Sequence, residues 1–422
     1  MKKVFLSLSL GAVLFGAQEF EANLEAHFLI PAKSFIEAPQ DAGEFLQSTG
    51  KFSKNIRNEN FGSVESNDYA LPFKNQALQG HSGIKYVGKN QIWILSDNGL
   101  GTKKNSPDSM LFIHKYELNF KTQELRRLET VFFNDKNRIF PYLLNLENTQ
   151  SRYFTGSDLD PESFQIVGED FWIGDEFGPF LLQFDKNGTL KASYETFIDG
   201  QKVLSPDHPG LVLNTPEEKI PYNIKRSKGF EAMASSKDGK KLYPMLEFAM
   251  FRDGAFENEN GKNFLRILEF DVKKKKFTGK SFKYFTEDNA HSIGDFNMID
   301  KEYGLIIERD DGEGVEGKGF KNPAKFKRIY KVKLDAKSGV AKKVAYIDLM
   351  RINDKKGLSK KDLVGGKFVF PFMTIENVDV VDANTIIVAN DNNFPFSASR
   401  EPKITDDNEI ILLEVGDFLR AK

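Results

Sequence analysis

Charged residues recur in pairs along this 422-residue chain: Glu162 with Glu176, Glu231 with Glu247, Asp295 with Arg309, and Glu376 with Asp391. A fifth pair, Gly83 with Asp97, has glycine in the first place. The members of a pair lie 14, 16, 14, 15 and 14 residues apart, in the order given. Brought to one place, the ten positions carry eight carboxylates and one guanidinium, a formal charge of 1 − 8 = −7. Crowded, partly desolvated carboxylates repel one another, and a hard divalent cation relieves the repulsion. Ca²⁺ suits such a set because it takes about 6–8 oxygen ligands in irregular geometry. The expected ligands are Asp97, Glu162, Glu176, Glu231, Glu247, Glu376, Asn390 and Asp391, with Asn98, Asn377 and Asn392 offering further amide oxygens nearby. Zinc fits less well: His27, His81, His114, His208 and His291 show no paired metal spacing, and there is no cysteine. Acidic side chains at hairpin ends can also cap turns, and that reading stands beside the metal one.

A cation amid this acid could act on an anionic group. Arg309 interrupts the acidic set, and Lys225, Arg226 and Lys228 precede Glu231. The expected catalytic residues are Glu162 or Glu231 as proton acceptor, with Arg309 and Arg226 stabilising negative charge. Arg309 could equally pair with a neighbouring carboxylate. Ser82 follows His81, but no GxSxG elbow occurs and no acidic partner is evident.

What must position these residues is a set of hairpins. The pair spacing accommodates a strand, a turn and a returning strand, so both members belong at one hairpin end. Two further strand candidates follow each of the first four hairpins, as in MLFIHKYELNF and QELRRLETVFF after the first. The unit recurs every 64 to 81 residues, which predicts an all-β β-propeller of four-stranded blades. Five blades are counted, and the long segments 44–80, 136–157, 200–228 and 350–372 leave room for a sixth. The last unit ends one strand short, and the early segment EANLEAHFLIPA is expected to supply it and close the ring.

Lys2 and Lys3 before an apolar run from Val4 to Phe15 form a secretory signal pattern, placing a signal peptide over residues 1–17 and one domain over 18–422. The expected location is periplasmic or secreted, with no transmembrane segment once the leader is removed. A net charge of −2 offers no general field for nucleic acid, and the basic run Lys273 to Lys276 reads as a solvated turn. The 39 phenylalanines read as packing.

The segments DPESFQIVGEDFWIGDEFGPFLLQFDKNG, KRSKGFEAMASSKDGKKLYPMLE, GLIIERDDG and IENVDVVDANTIIVANDNNF, preceded by SGIKYVGKNQIWILSDNG, resemble the phytase-like family described as "esterase-like activity of phytase". These are mostly exported bacterial β-propellers. The resemblance covers roughly residues 80–415 and singles out Asp160, Glu162, Asp175, Glu176, Gly229, Phe230, Glu231, Glu247, Glu308, Arg309, Asp310, Glu376, Asn390, Asp391 and Asn392. It implies hydrolysis of a phosphoester or ester in a small anionic or ester substrate. Where the family usually has Glu-Gly, this chain has Glu162-Ser163, Glu231-Ala232 and Glu376-Asn377, side chains expected to narrow access to the channel. Two readings follow: an exported Ca²⁺-dependent hydrolase, or a non-catalytic, metal-stabilised propeller that binds a peptide, glycan or envelope partner.

Overall fold

The computed structural model describes residues 16–211 and 222–422. The leader expected over residues 1–17 lies outside them except for its last two positions.

Twenty strands carry the architecture, which is all-β and propeller-like. They are β1 (Asn23–Ile30), β2 (His81–Tyr86), β3 (Gln91–Ser96), β4 (Phe112–Asn119), β5 (Glu124–Phe132), β6 (Pro161–Val167), β7 (Asp170–Asp175), β8 (Phe180–Phe184), β9 (Leu190–Glu195) and β10 (Ala232–Ser235). The series continues with β11 (Lys241–Met245), β12 (Lys262–Asp271), β13 (Lys276–Phe285), β14 (Ser292–Met298), β15 (Tyr303–Arg309), β16 (Lys327–Asp335), β17 (Val340–Asp348), β18 (Ile375–Val380), β19 (Thr385–Asn390) and β20 (Asn408–Glu414). Consecutive strands pair antiparallel in the sets β2 to β5, β6 to β9, β10 to β13 and β14 to β17, and β18, β19 and β20 are joined by β1. In that last set Ala26 faces Leu412 and Phe28 faces Ile410. One parallel contact, Lys283 with Val340, links the third and fourth sets into a continuous sheet. The lysine run at 273–276 lies at the turn between β12 and β13.

The first strand of each set, β2, β6, β10, β14 or β18, neighbours the first strands of the two adjacent sets, and the series returns from β18 to β2. Apolar layers follow the same circuit. Trp93 and Ile113 pack with Phe164 and Phe171, Trp172 with Met233 and Phe270, Ile267 with Phe296, Ile307 with Ile375, and Ile387 with Ile84. A sheet covered on both faces needs apolar residues on both, which is why QIWILS in β3 and FLLQF in β8 are nearly continuous apolar runs. The outermost β5 alternates instead, with one face in water.

Polar side chains fill the axis between the first strands. Lys85 Nζ donates to Asn297 Oδ1 at 2.8 Å and to Asp379 Oδ1 at 3.0 Å. Gln165 Nε2 reaches the same Asn297 oxygen at 2.9 Å, and Ser235 Oγ donates to Gln165 Oε1 at 2.9 Å. Each of the five first strands contributes one member, so the network ties all of them together. Segments 44–80 and 200–228 hold short two-residue and three-residue strands, 136–157 and 350–372 hold isolated bridges, and none holds a further four-stranded sheet among the described residues.

Candidate metal centre

The hairpin ends are built alike. The N–H of Glu176 donates to the carbonyl of Asp160 at 2.9 Å, that of Glu247 to Gly229 at 3.0 Å, that of Asp391 to Thr374 at 3.2 Å and that of Asp97 to Gly80 at 2.8 Å. In each case the acceptor stands two residues before the side chain that turns toward the centre: Glu162, Glu231, Glu376 and, in the first hairpin, Ser82. In the fourth hairpin Ser292 pairs with Arg309, which puts Gly294 at the equivalent place. Four of the five hairpins also break register there, between Ile94 and Ser96, Pro161 and Ser163, Ile293 and Phe296, and Ile375 and Asn377. A bulge bends the strand and re-aims its side chain, and that is how a residue at a strand start comes to face the axis.

This geometry corrects the spacing argument at two positions. Ser82 rather than Gly83, and Gly294 rather than Asp295, complete the first ring. Asp295 leaves the acidic set altogether: its carboxylate accepts the N–H groups of Phe296 at 2.7 Å and Val378 at 2.8 Å. A Cβ at Gly294 would meet the Ile375 carbonyl at 1.9 Å, so β14 and β18 approach only because that residue is glycine.

Asp160, quoted only as part of a family motif, takes a place in the centre. One oxygen from each of Asp160, Glu162 and Glu176 lies within 4.8 Å of the others, and the same holds for Glu176, Glu231 and Glu247. Glu176 is common to both groups. Glu162 is half-buried, whereas Asp160, Glu176, Glu231 and Glu247 are buried. Asp160 Oδ1, Glu176 Oε1, Glu231 Oε1 and Glu247 Oε1 have no hydrogen-bond partner among the described residues. Asp97, Glu376 and Asp391 complete the acid beside them. Asp97 accepts the Gly99 N–H at 2.8 Å and Asp391 the Asn393 N–H at 2.7 Å, so each keeps a turn in shape as well.

Burial is the first cause that raises these acids, and mutual repulsion adds to it. The carboxyls of Asp160, Glu162, Glu176, Glu231 and Asp391 are held well above the usual range, and Asp97 rises to about 7. Glu376 is raised by burial too, although Arg309 opposes the shift. Two cations face the cluster. Arg309, itself buried, donates from Nη2 to Glu376 Oε1 at 2.9 Å and lies 3.7 Å from Glu247 Oε1. Lys228 bonds Glu247 through its ammonium group. Asp97, Asp160, Glu162, Glu176, Glu231, Glu247, Glu376 and Asp391 against these two give a formal 2 − 8 = −6.

Several expected participants are engaged elsewhere. Arg226 is exposed and bonds Asp207 at the rim. Lys225 sits over the Phe248 ring, 3.7 Å from its centroid. Asn390 accepts the Glu409 N–H at 2.6 Å and donates to the Asp407 carbonyl, and the oxygens of Asn98 and Asn392 accept backbone N–H groups of Gly101 and Gly80. Those three amide oxygens are therefore taken, each by a buried or half-buried backbone N–H that needs an acceptor. Ser82 does have an acidic partner, Glu376 Oε2 at 3.1 Å, but no imidazole stands between them. His81 is buried with neither ring nitrogen partnered, and burial lowers it to about 3. Glu308 faces away from the centre, bonding Tyr284 at 2.7 Å, His291 at 2.9 Å and Lys343 at 2.7 Å. Ser163 and Asn377 do not narrow the mouth. Each crosses to the next first strand or its lead-in, Ser163 to the Phe230 carbonyl at 2.8 Å and Asn377 to that of His81.

The sequence profile of the family described as "Phytase-like: Esterase-like activity of phytase" matches residues 76–394, which include every member of the acidic centre. The chain belongs to the phytase-like family. Among curated relatives, an "Uncharacterized secreted protein" of Arthroderma benhamiae is 29% identical to this phytase-like chain over 125 residues. That match takes in 27% of the chain and 24% of the relative, so the chain spans about a quarter of the relative's length. A calcium-binding protein, regucalcin, of Agrobacterium tumefaciens is similar in structure with a TM-score of 0.37 at 11% identity, covering 80% of this chain and 92% of that one. A putative 6-phosphogluconolactonase of Bacteroides uniformis gives 0.31 at 14% identity, covering 77% and 84%. Scores this low bear on neither the fold nor the function of the phytase-like chain. No described helix is long and apolar enough to cross a membrane.

Proposed function

We propose that this phytase-like protein is an exported, five-bladed β-propeller, closed by its N-terminal strand, that hydrolyses a phosphoester or ester at a Ca²⁺-dependent site on one mouth of its axis. The supporting observation is the set of four buried carboxylate oxygens, on Asp160, Glu176, Glu231 and Glu247, that accept no hydrogen bond from the described residues. An acceptor buried without a partner is costly, and a hard cation seated in either of the two triads that share Glu176 would relieve that cost for its members. The donor set is oxygen only, which fits Ca²⁺. Asp160, Glu162 and Glu176, or Glu176, Glu231 and Glu247, would hold it, and Asp97, Glu376 and Asp391 would add negative field. A bound cation would polarise a substrate oxygen and lower the pKa of a water.

The chain's own residues divide the remaining work. Glu162 is the half-exposed member, so it can meet a substrate and take a proton. Arg309 favours the ionised form of Glu376 against the effect of burial and would supply positive charge beside the reacting group. Arg226 is engaged by Asp207, and Lys228, bonded to Glu247, is the cation offered for that role instead. The polar network through Lys85, Asn297 and Gln165 fills the axis beneath the cluster, which suits entry and exit from the same face.

The competing reading keeps the cation and drops the chemistry: Glu176, Glu231 and Glu247 are so buried that an ion there could serve the fold alone, with the face loops binding a partner. A panel of phosphate and carboxylate esters, assayed with and without chelator, separates the two. Chelator-sensitive turnover lost in Glu162→Gln supports the hydrolase. Ca²⁺ binding without any turnover would leave only the binding propeller.

A further inference from the structure

Lys228 enters the centre from the side that reaches water. Its side chain is 32% exposed, while the carboxylate of Glu247 that receives its ammonium is 2% exposed. That is the only hydrogen bond its ammonium makes among the described residues, and the amine also lies within the field of Glu176 and Glu231. Those three glutamates are the same that bring their oxygens within 4.8 Å of one another. The next residue, Gly229, is fixed against the backbone of Glu176, where a Cβ would stand 2.5 Å from Glu176 Cα. The lysine is thus anchored at its base while its side chain is partly open to water.

We propose that Lys228 is an internal counter-ion that competes with a divalent cation for Glu176, Glu231 and Glu247, so that cation entry requires its ammonium to leave Glu247. The proposal rests on the cation site put forward above. An ammonium and a divalent ion cannot both occupy a pocket bounded by these oxygens without strong repulsion, and the ammonium, on a flexible stem with a path to water, is the one that can move. The lysine then sets a threshold: it neutralises part of the acid when cation is scarce and weakens cation affinity by the work of displacing it. The solvated ammonium, once released, stands at the mouth where an anionic substrate would arrive.

Calorimetric titration of chelator-stripped protein with Ca²⁺ tests this on the wild type, Lys228→Met and Lys228→Arg, with the Ca²⁺-induced rise in Tm as a second readout. Lys228→Met should bind at least ten-fold more tightly and show the larger rise, from a lower starting Tm. Lys228→Arg, which keeps the charge, should bind no more tightly than wild type. Lys228→Gln repeats the comparison should the methionine variant fail to fold. Equal or weaker binding by the neutral variants overturns the proposal, as does absence of binding in every variant. If wild type binds no Ca²⁺ but Lys228→Met does, the counter-ion role stands and the Ca²⁺-dependent hydrolase reading falls. If wild type binds Ca²⁺ yet hydrolyses nothing, only the hydrolase reading falls, and the affinities still decide the role of Lys228.

Discussion

Glu176 belongs to both acidic triads, so it is the residue whose charge matters most. Glu176→Gln keeps the shape and removes one of the repelling charges. The stripped variant should melt no lower than wild type, whereas the stabilisation by Ca²⁺, about 2.7 kcal/mol at a hundred times Kd, should disappear. Differential scanning fluorimetry with and without Ca²⁺ measures both quantities, and an undiminished Ca²⁺ effect would remove Glu176 from the site. Arg309→Met should behave differently, because it strips a buried Glu376 of its partner. A loss of ~3–5 kcal/mol in chemical denaturation is expected, together with retained or tighter Ca²⁺ binding. At this scale the sequence showed residue types better than positions. Pair spacing singled out Glu162, Glu231 and Glu376, but a bulge consumes one residue without altering the count between strand ends, so Gly83 and Asp295 stood in for Ser82 and Gly294. Asn390 looked like a ligand because its chemistry allows it, and only the position of Glu409 at the start of β20 shows that its oxygen is occupied.

The N-terminal strand β1 and the last strand β20 share more than their ladder. Glu409 of β20 is buried and bonds His27 of β1 at 3.1 Å and the guanidinium of Arg400 at 2.9 Å. Burial alone would raise its carboxyl, yet Arg400 and His27 outweigh it and depress the value from an ordinary 4.5 to about 2. A carboxylate whose folded value is depressed contributes stability above its unfolded pKa, and that contribution is lost as pH falls from near 4.5 through about 2. The shift corresponds to roughly 3 kcal/mol. Wild type should therefore exceed Glu409→Gln in stability at pH 6, with the gap closing as pH falls toward 2, and a gap independent of pH would contradict the assignment. Deleting residues 21–32 should lower stability sharply by exposing the edge of β20. These elements were legible because the hairpin spacing, the strand candidates that follow it and the unmatched last unit are local signals. The short strands within 44–80 were not, since two-residue pairings leave no periodicity to read.

For the whole molecule, the circuit of first strands and apolar layers accounts for how residues more than 300 positions apart, such as Gly80 and Asn392, come to share one mouth. Nothing in the linear spacing requires that convergence; it follows from each sheet needing a neighbour on both faces. Export is a separate expectation. Mass spectrometry of protein recovered from the native host should show the loss of about 16–20 leading residues, and an intact Met1 in soluble cytosolic material would defeat it. The claim on which the rest depends is that the unpartnered carboxylate oxygens hold a hard cation. Its most direct test is calorimetric titration of Ca²⁺ into chelator-stripped wild-type protein, with Glu231→Gln alongside. Saturable binding in wild type that is lost or reduced at least ten-fold in the variant is the predicted result, and no binding by wild-type protein would contradict the account.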